Sequence, residues 1–347
     1  MSSEAEILFE RRGAAGLITL NRPKALNAVT HAMVRALAAQ LSQWERDDAV
    51  TRVVLLAAGE RAFSAGGDIR ALYDLGKAGK QKEALEFWRE EYVLNTAIKN
   101  YRKPYVSLID GIVMGGGVGI SVHGSHRIAG DKFQFAMPEV SIGFFPDVGA
   151  TWFLPRMPGE LGTYCALTGE RFAPVDAVNA GIATHLIASA RFADLRDGLC
   201  STVPVDALLA AFAEPKGQGP LAPHIAAIDR LFVGERIEDI LERLDREQDG
   251  GWAAAAAKTI RAKSPLSVKL ALAQVRRGKN WNFEECMRAE FRIVSRVVYG
   301  HDFYEGVRAV IVDKDNAPRW SPDTLAAVTD TEVERHFANL AADELRL

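Results

Sequence analysis

YVSLI at residues 105–109 runs directly into DGIVMGGGVGISVHG at 110–124, an apolar stretch followed by three successive glycines. The first segment predicts a strand, and the second predicts a glycine loop that opens a helix. The same order occurs upstream, where VVLLAA at 53–58 precedes GERAFSAGGDIRAL at 59–72. Working outward, ILFERR at 7–12 and GLITL at 16–20 predict two strands around the turn RRGAAG, followed by an amphipathic helix over 28–44. A longer helical pattern covers 81–100, and HRIAG at 126–130 and KFQFAMPEV at 132–140 supply short strand-like pieces. Strand, loop and helix repeated in this order predict an α/β domain with functional loops at the strand ends.

After residue 168 the pattern turns helical, and EPKGQGPLAP at 214–223 marks a linker or surface excursion. In SPLSVKLALAQV at 264–275, Ser264 is placed to cap a helix whose first position is Pro265. The expected organisation is a core over 1–213 and a mainly helical region over 214–347. A chain of 347 residues, 48% hydrophobic and 25% charged, buries a sizeable core and is neither disordered nor a disulfide scaffold. Its net charge of −3 gives no overall attraction to nucleic acid or to an anionic membrane. The oligomeric state stays open, a homo-oligomer included.

The three cysteines, Cys165, Cys200 and Cys286, are far apart and suit reduced thiols that serve packing. The opening MSSEAEILFERR carries acids before any apolar run, unlike a secretory signal or a transit peptide, so a cytoplasmic location is expected. The longest apolar region, 106–122, contains Asp110 and several glycines and falls short of the roughly 20 residues of a spanning helix. The seven histidines form no HExxH or other compact ligand pattern, and no metal is expected.

The stretches SAGGD at 64–68 and MGGGVG at 114–119 each lie where a strand ends and a helix begins, so both can offer unpaired N–H groups to a ligand oxygen. Two such donors aimed at one carbonyl oxygen make an oxyanion hole. Alone, either loop reads equally well as a tight turn. Neither matches GxxxxGK[ST], and 115–120 is not GxGxxG, which argues against a nucleotide phosphate loop. Ser121, His123 and His126 invite a nucleophile reading, but GISVHG lacks the last glycine of GxSxG and a helix or turn role fits better.

PKALNA at 23–28, AFSAGGDI at 62–69, GIVMGGGVG at 111–119 and MPEVSIGFFPDVG at 137–149 together resemble the enoyl-CoA hydratase/isomerase (crotonase) superfamily. REEY at 89–92, FPDVG and GHDFYEGVRAVIVDKD at 300–315 resemble its hydrolase branch. The resemblance implies a spiral of ββα turns with a helical carboxy-terminal region over the acyl pocket. It implies that the N–H groups of Gly67 and Gly116, flanked by Gly66 and Gly115, hold the thioester oxygen of an acyl-CoA. Lys24, Ala25 and Asn27, with Asp68 and Arg70, are implied to lie near the bent CoA. Read alone, Lys24 and Arg70 are solvated charges.

Hydratases of the superfamily resemble one another in carrying a glutamate three residues beyond the middle glycine of the GGG loop and a second twenty residues later. Here those positions hold Gly119 and Glu139. Adding water across a double bond needs both water activation and proton delivery to carbon, so the missing first acid weighs against hydration. Glu139 is the implied base or nucleophile, and Asp147 and Glu91 correspond to polar substrate-site positions. Alone, each of the three reads as an ordinary surface, turn or helix acid. The implied activity is hydrolysis of a short-chain 3-hydroxyacyl-CoA thioester, 3-hydroxyisobutyryl-CoA foremost, with CoA as part of the substrate and no separate cofactor. The rivals are an enoyl-CoA isomerase or hydratase, for which one carboxylate moving a proton between carbons suffices in the isomerase, and a catalytically idle acyl-CoA- or RNA-binding protein.

Overall fold

The computed structural model describes residues 5–248 and 251–347. Strands β1 (Ile7–Arg12) and β2 (Ala15–Leu20) form an antiparallel hairpin, paired from Ile7↔Leu20 to Arg12↔Ala15. They are followed by β3 (Arg52–Ala57), β4 (Ala62–Ser64), β5 (Tyr105–Ile109), β6 (Ile112–Met114), β7 (His126–Ala129), β8 (Gln134–Ala136) and β9 (His185–Leu186). One sheet has the order β1-β2-β3-β5-β7-β9 and a smaller one the order β4-β6-β8. From β2 onward the large sheet is parallel. Its central strand β5 is buried at every residue, as an apolar run flanked on both faces must be.

The chain therefore alternates: β3, β5 and β7 enter the large sheet while β4, β6 and β8 enter the small one. Helical segments follow the pairs, at His31–Arg46 after β2, Ile69–Lys77 after β4 and Gly116–Gly119 after β6. This is the repeated ββα turn that the resemblance implied. The sequence reading took β4 and β6 as loop, because three-residue strands are too short to show a period of two.

The first long helix begins at His31, three residues later than expected. Leu26 and Asn27 adopt φ of 51° and 53°, a left-handed conformation that no right-handed helix admits. The fully buried Asn27 holds this turn: its Nδ2 donates to the carbonyls of Ala58 (2.9 Å) and Ala62 (3.0 Å), and its Oδ1 accepts from Arg22 N–H (2.8 Å). Thr30 then caps the helix by accepting from Met33 N–H at 3.2 Å. The expected cap at Ser264 is present, accepting from Ser267 N–H at 3.1 Å, with Pro265 opening helix Pro265–Gly278.

The chain forms two compact units, one of Met1–Asp68, Val93–Phe135 and Arg171–Ala222, the other of Ile69–Tyr92, Ala136–Glu170 and Pro223–Leu347. In the first, Val54, Val106, Leu108 and Ile128 of the large sheet pack with Leu195, Leu199, Val205 and Leu209 from helices Phe192–Leu199 and Val205–Phe212. In the second, Trp88 stacks on Phe144 with ring centres 5.6 Å apart, and Phe303 packs edge-on against Trp88. Burying a phenylalanine of this kind stabilises the fold by about 1.5–3 kcal/mol. Among the described residues no strand follows β9, and no helix is long and apolar enough to cross a membrane.

Candidate active site

The glycine loops belong to the first unit. Strands β4 and β6 run parallel, with Ala62 opposite Ile112, so the loops at their carboxy ends emerge side by side. The approach is close: a Cβ on Gly117 would stand 2.7 Å from the carbonyl oxygen of Ser64, a distance that only glycine permits. Around Gly67 the donors are spent, since Ala65 N–H bonds to Leu26 O and Asp68 N–H to Val29 O, each at 2.9 Å, and Gly66 N–H reaches Ser64 Oγ. No acceptor for the N–H of Gly67 or of Gly116 is found among the described residues. Gly116 is also the first residue of helix Gly116–Gly119, where a free N–H is inherent to the geometry. Gly66 and Gly115 flank these donors at φ of 120° and 45°. Gly119, in the same helix, supplies no carboxylate.

The remaining residues expected near CoA are divided. Lys24 and Ala25 are exposed in the 3-10 turn Pro23–Ala25. Asn27 is the turn clamp already described, with both polar ends of its amide occupied. Asp68 accepts from Arg22 at 3.2 Å. In the second unit, Arg70 pairs with Asp74 one helical turn away on an exposed face, at 3.0 Å, a contact of little energetic weight. Ser121, in the turn after helix Gly116–Gly119, donates its hydroxyl to Gly117 O at 2.7 Å, which fits the helix or turn role expected of it. Among the described residues no group of acids, histidines and cysteines could hold a metal.

The acids belong to the second unit. Glu139 opens the 3-10 turn Glu139–Ile142 directly after Pro138 and is 7% exposed, with Oε2 unpartnered among the described residues. Burial drives its carboxyl well above the usual carboxylate range. The charge of Asp147 adds to the rise, its own backbone N–H opposes it, and Glu290 adds a smaller push. Asp147 is buried and accepts the hydroxyl hydrogen of Tyr92 at 2.8 Å. Burial pushes it up to about 7, with the Tyr92 bond and its own backbone N–H opposing. Glu91, next to Tyr92 on helix Gln81–Lys99, is 1% exposed and leaves Oε1 unpartnered among the described residues. Burial, then the charges of Asp147 and Glu290, raise it as well.

Glu290 was not singled out in the sequence. It lies on helix Phe283–Val297 and is fully buried. Its Oε2 accepts from Gly149 N–H and its Oε1 from Thr151 N–H, both at 2.8 Å. Burial pushes it up to about 8, opposed by the Gly149 bond and raised by Asp147. A signal was available: along FEECMRAEFRIVSRV, Phe283, Cys286, Met287, Phe291 and Val294 form one buried stripe, and Glu290 falls inside it. A carboxylate within an apolar stripe is a buried acid and marks a candidate site. Burial raises the proton affinity of all four acids, and acids gathered in this way titrate together rather than singly.

The family described as Enoyl-CoA hydratase/isomerase matches residues 15–337. The chain is 45% identical over 359 aligned positions to "3-hydroxyisobutyryl-CoA hydrolase, mitochondrial" of Danio rerio, covering 100% of this chain and 94% of that one. The structure of a carnitinyl-CoA dehydratase from Mycobacterium thermoresistibile superposes with a TM-score of 0.94 at 43% identity, covering 99% of both chains. An enoyl-CoA hydratase from Rhodobacter sphaeroides 2.4.1 superposes at 0.93 with 40% identity, over 99% of this chain and 100% of that one. The mitochondrial relative overturns the cytoplasmic expectation. That expectation rested on a lack of leader-like residues in MSSEAEILFERR, and a short terminal segment is a poor witness to location.

Proposed function

The chain belongs to the enoyl-CoA hydratase/isomerase family, and we propose that within it the protein hydrolyses a short-chain 3-hydroxyacyl-CoA thioester, 3-hydroxyisobutyryl-CoA before others, to 3-hydroxyisobutyrate and CoA. This is a step of valine breakdown. The observation that carries the reading is Glu139, a buried carboxyl with one oxygen unpartnered among the described residues and a raised affinity for protons, in a chain that has Gly119 in place of a second acid. The name of the Danio rerio relative supports the same chemistry.

In the proposed reaction the thioester carbonyl oxygen accepts from the N–H groups of Gly67 and Gly116, which hold the negative charge that develops on attack. Glu139 acts by one of two routes. As a base it takes a proton from water while the water oxygen bonds to the carbonyl carbon. As a nucleophile its own oxygen bonds to that carbon, and water then cleaves the resulting anhydride. Either way the C–S bond breaks, the thiolate leaves and takes up a proton, and the acid is released. Asp147 and Glu91 orient Glu139, water or the substrate hydroxyl. CoA departs as product, so the proposal needs no separate cofactor.

The test is release of free thiol across a panel of acyl-CoA esters, with wild type and Glu139→Gln. The variant keeps shape and loses the base, so turnover should nearly vanish while CoA-ester binding persists; near-wild-type turnover sinks the assignment. A hydratase reading is favoured by the likeness to a carnitinyl-CoA dehydratase and an enoyl-CoA hydratase. It predicts rapid loss of the enoyl absorbance of crotonyl-CoA without thiol release, a result that would reverse the ranking.

A further inference from the structure

Asp147 lies on a turn whose backbone is unfavourable by itself. Val148, a β-branched residue, has φ of 52°, and Gly149 has φ of 92°. Three side chains from separate helices hold this turn. Tyr92 bonds the carboxylate of Asp147, Gln274 of helix Pro265–Gly278 donates to Pro146 O, and Glu290 accepts both Gly149 N–H and Thr151 N–H. Tyr92 bonds the carboxylate of Asp147 itself, while Glu290 grips the backbone that carries it.

Resting on the hydrolase reading above, we propose that Glu290 is a positioning residue for the reaction, its carboxylate clamping the backbone after Asp147 so that Asp147 is presented to Tyr92 and the substrate. Packing alone does not account for a carboxylate here. Its neighbours along the stripe are Cys286, Met287, Phe291 and Val294, and a hydrocarbon of similar volume would fill the same space without removing an ionisable group from water. What a hydrocarbon lacks is two acceptor oxygens spaced to take two N–H groups of one turn. The clamp also leaves neither of those buried donors unpaired.

The carboxylate also acts electrostatically. The groups that face it are Glu91 and Tyr92 from helix Gln81–Lys99, Asp147 from the turn, Glu139 from the 3-10 turn and Cys286 one turn back on its own helix, where Arg156 and Glu285 also act. A negative charge on Glu290 opposes ionisation of Glu91 and Glu139.

The experiment compares Glu290→Gln and Glu290→Asp with wild type, using an acyl-CoA ester that wild type hydrolyses, with melting curves as the check of folding. The glutamine variant keeps the shape, but its amide nitrogen confronts one of the two N–H donors. Its kcat should fall about 10²-fold with KM within about twofold of wild type, because the turn that carries Asp147 is misplaced while CoA binding is untouched. The acid limb of its pH profile should move to lower pH, since one opposing charge is gone. The aspartate variant keeps the charge and loses reach, so its kcat should fall while the acid limb stays near wild type. A folded Glu290→Gln with wild-type kcat and limb overturns the proposal. If that variant does not fold, a folded Glu290→Asp with wild-type kcat overturns it, and failure of both to fold makes Glu290 a residue of the fold and overturns it too. Wild type inactive on every ester would instead refute the hydrolase reading, so the two failures are distinct.

Discussion

Tyr92→Phe deletes one oxygen from a fully buried side chain and leaves the ring packed edge-on against Phe291. What is lost is the 2.8 Å bond from the Tyr92 hydroxyl to Asp147, which favours the charged form of a carboxyl that burial pushes up to about 7. A hydrogen bond to a charged group contributes about 1.5–3 kcal/mol, and about 1.4 kcal/mol corresponds to one pH unit. Removing it should raise the pH at which Asp147 ionises by about one to two units. At pH 7 the ionised fraction would then fall from about half to between about 1 and 10 per cent, a loss of about five- to fiftyfold in kcat/KM if ionised Asp147 is the active form. The loss should be recovered in alkaline buffer. Initial rates of thiol release measured across about pH 5 to 10 for both proteins decide it. A variant that is slow at every pH, or one whose acid limb coincides with that of wild type, would show that the Tyr92 bond does not set the ionisation of Asp147.

The same acids predict how stability varies with pH. Asp147 and Glu290 are pushed up to about 7 and about 8, above their unfolded values, so they stabilise the folded state below the ordinary carboxylate range and lose that contribution as pH rises through those values. The melting temperature should therefore rise on going from about pH 8.5 to about pH 6, and a flat or falling trend would mean that these acids are not desolvated. For specificity, Glu91, with one oxygen unpartnered among the described residues, should favour 3-hydroxyisobutyryl-CoA over isobutyryl-CoA by at least about 10²-fold in kcat/KM, and Glu91→Ala should narrow the gap. Equal treatment of the two esters by wild type would make Glu91 an ordinary structural acid.

Much of the scaffold was legible because it depends on local signals. The strands β3 and β5 are nearly unbroken apolar runs, and a Ser-Pro pair announced the helix at Pro265. Glu139, Asp147 and Glu91 were reached through motif register, since an isolated glutamate gives no local sign of burial. Strands of three residues inside glycine loops escaped, because neither periodicity nor composition distinguishes them from turns. Asn27 was read as a substrate contact, and the structure shows its amide bound to Ala58, Ala62 and Arg22. Those partners are set by tertiary folding, which a single sequence does not display.

Glu290 shows where sequence reading stops and physical argument continues. It stands 143 residues beyond Asp147, so no spacing rule links the two. Yet taking a carboxyl out of water is costly, and the second unit does so at Glu91, Glu139, Asp147 and Glu290 together. Burial raises the proton affinity of all four, and the charges of neighbouring acids raise it further at Glu91, Glu139 and Glu290. A fold selected for stability alone would dilute such a cluster, whereas a fold that must hold exchangeable protons beside an ester would concentrate it. The hydrogen bonds divide the cluster in the same sense. Glu290 has an N–H donor on each oxygen and Asp147 has Tyr92, while Glu139 and Glu91 each keep one oxygen unpartnered among the described residues. The satisfied acids are those whose position is fixed, and the unsatisfied ones are those with capacity left for water or substrate.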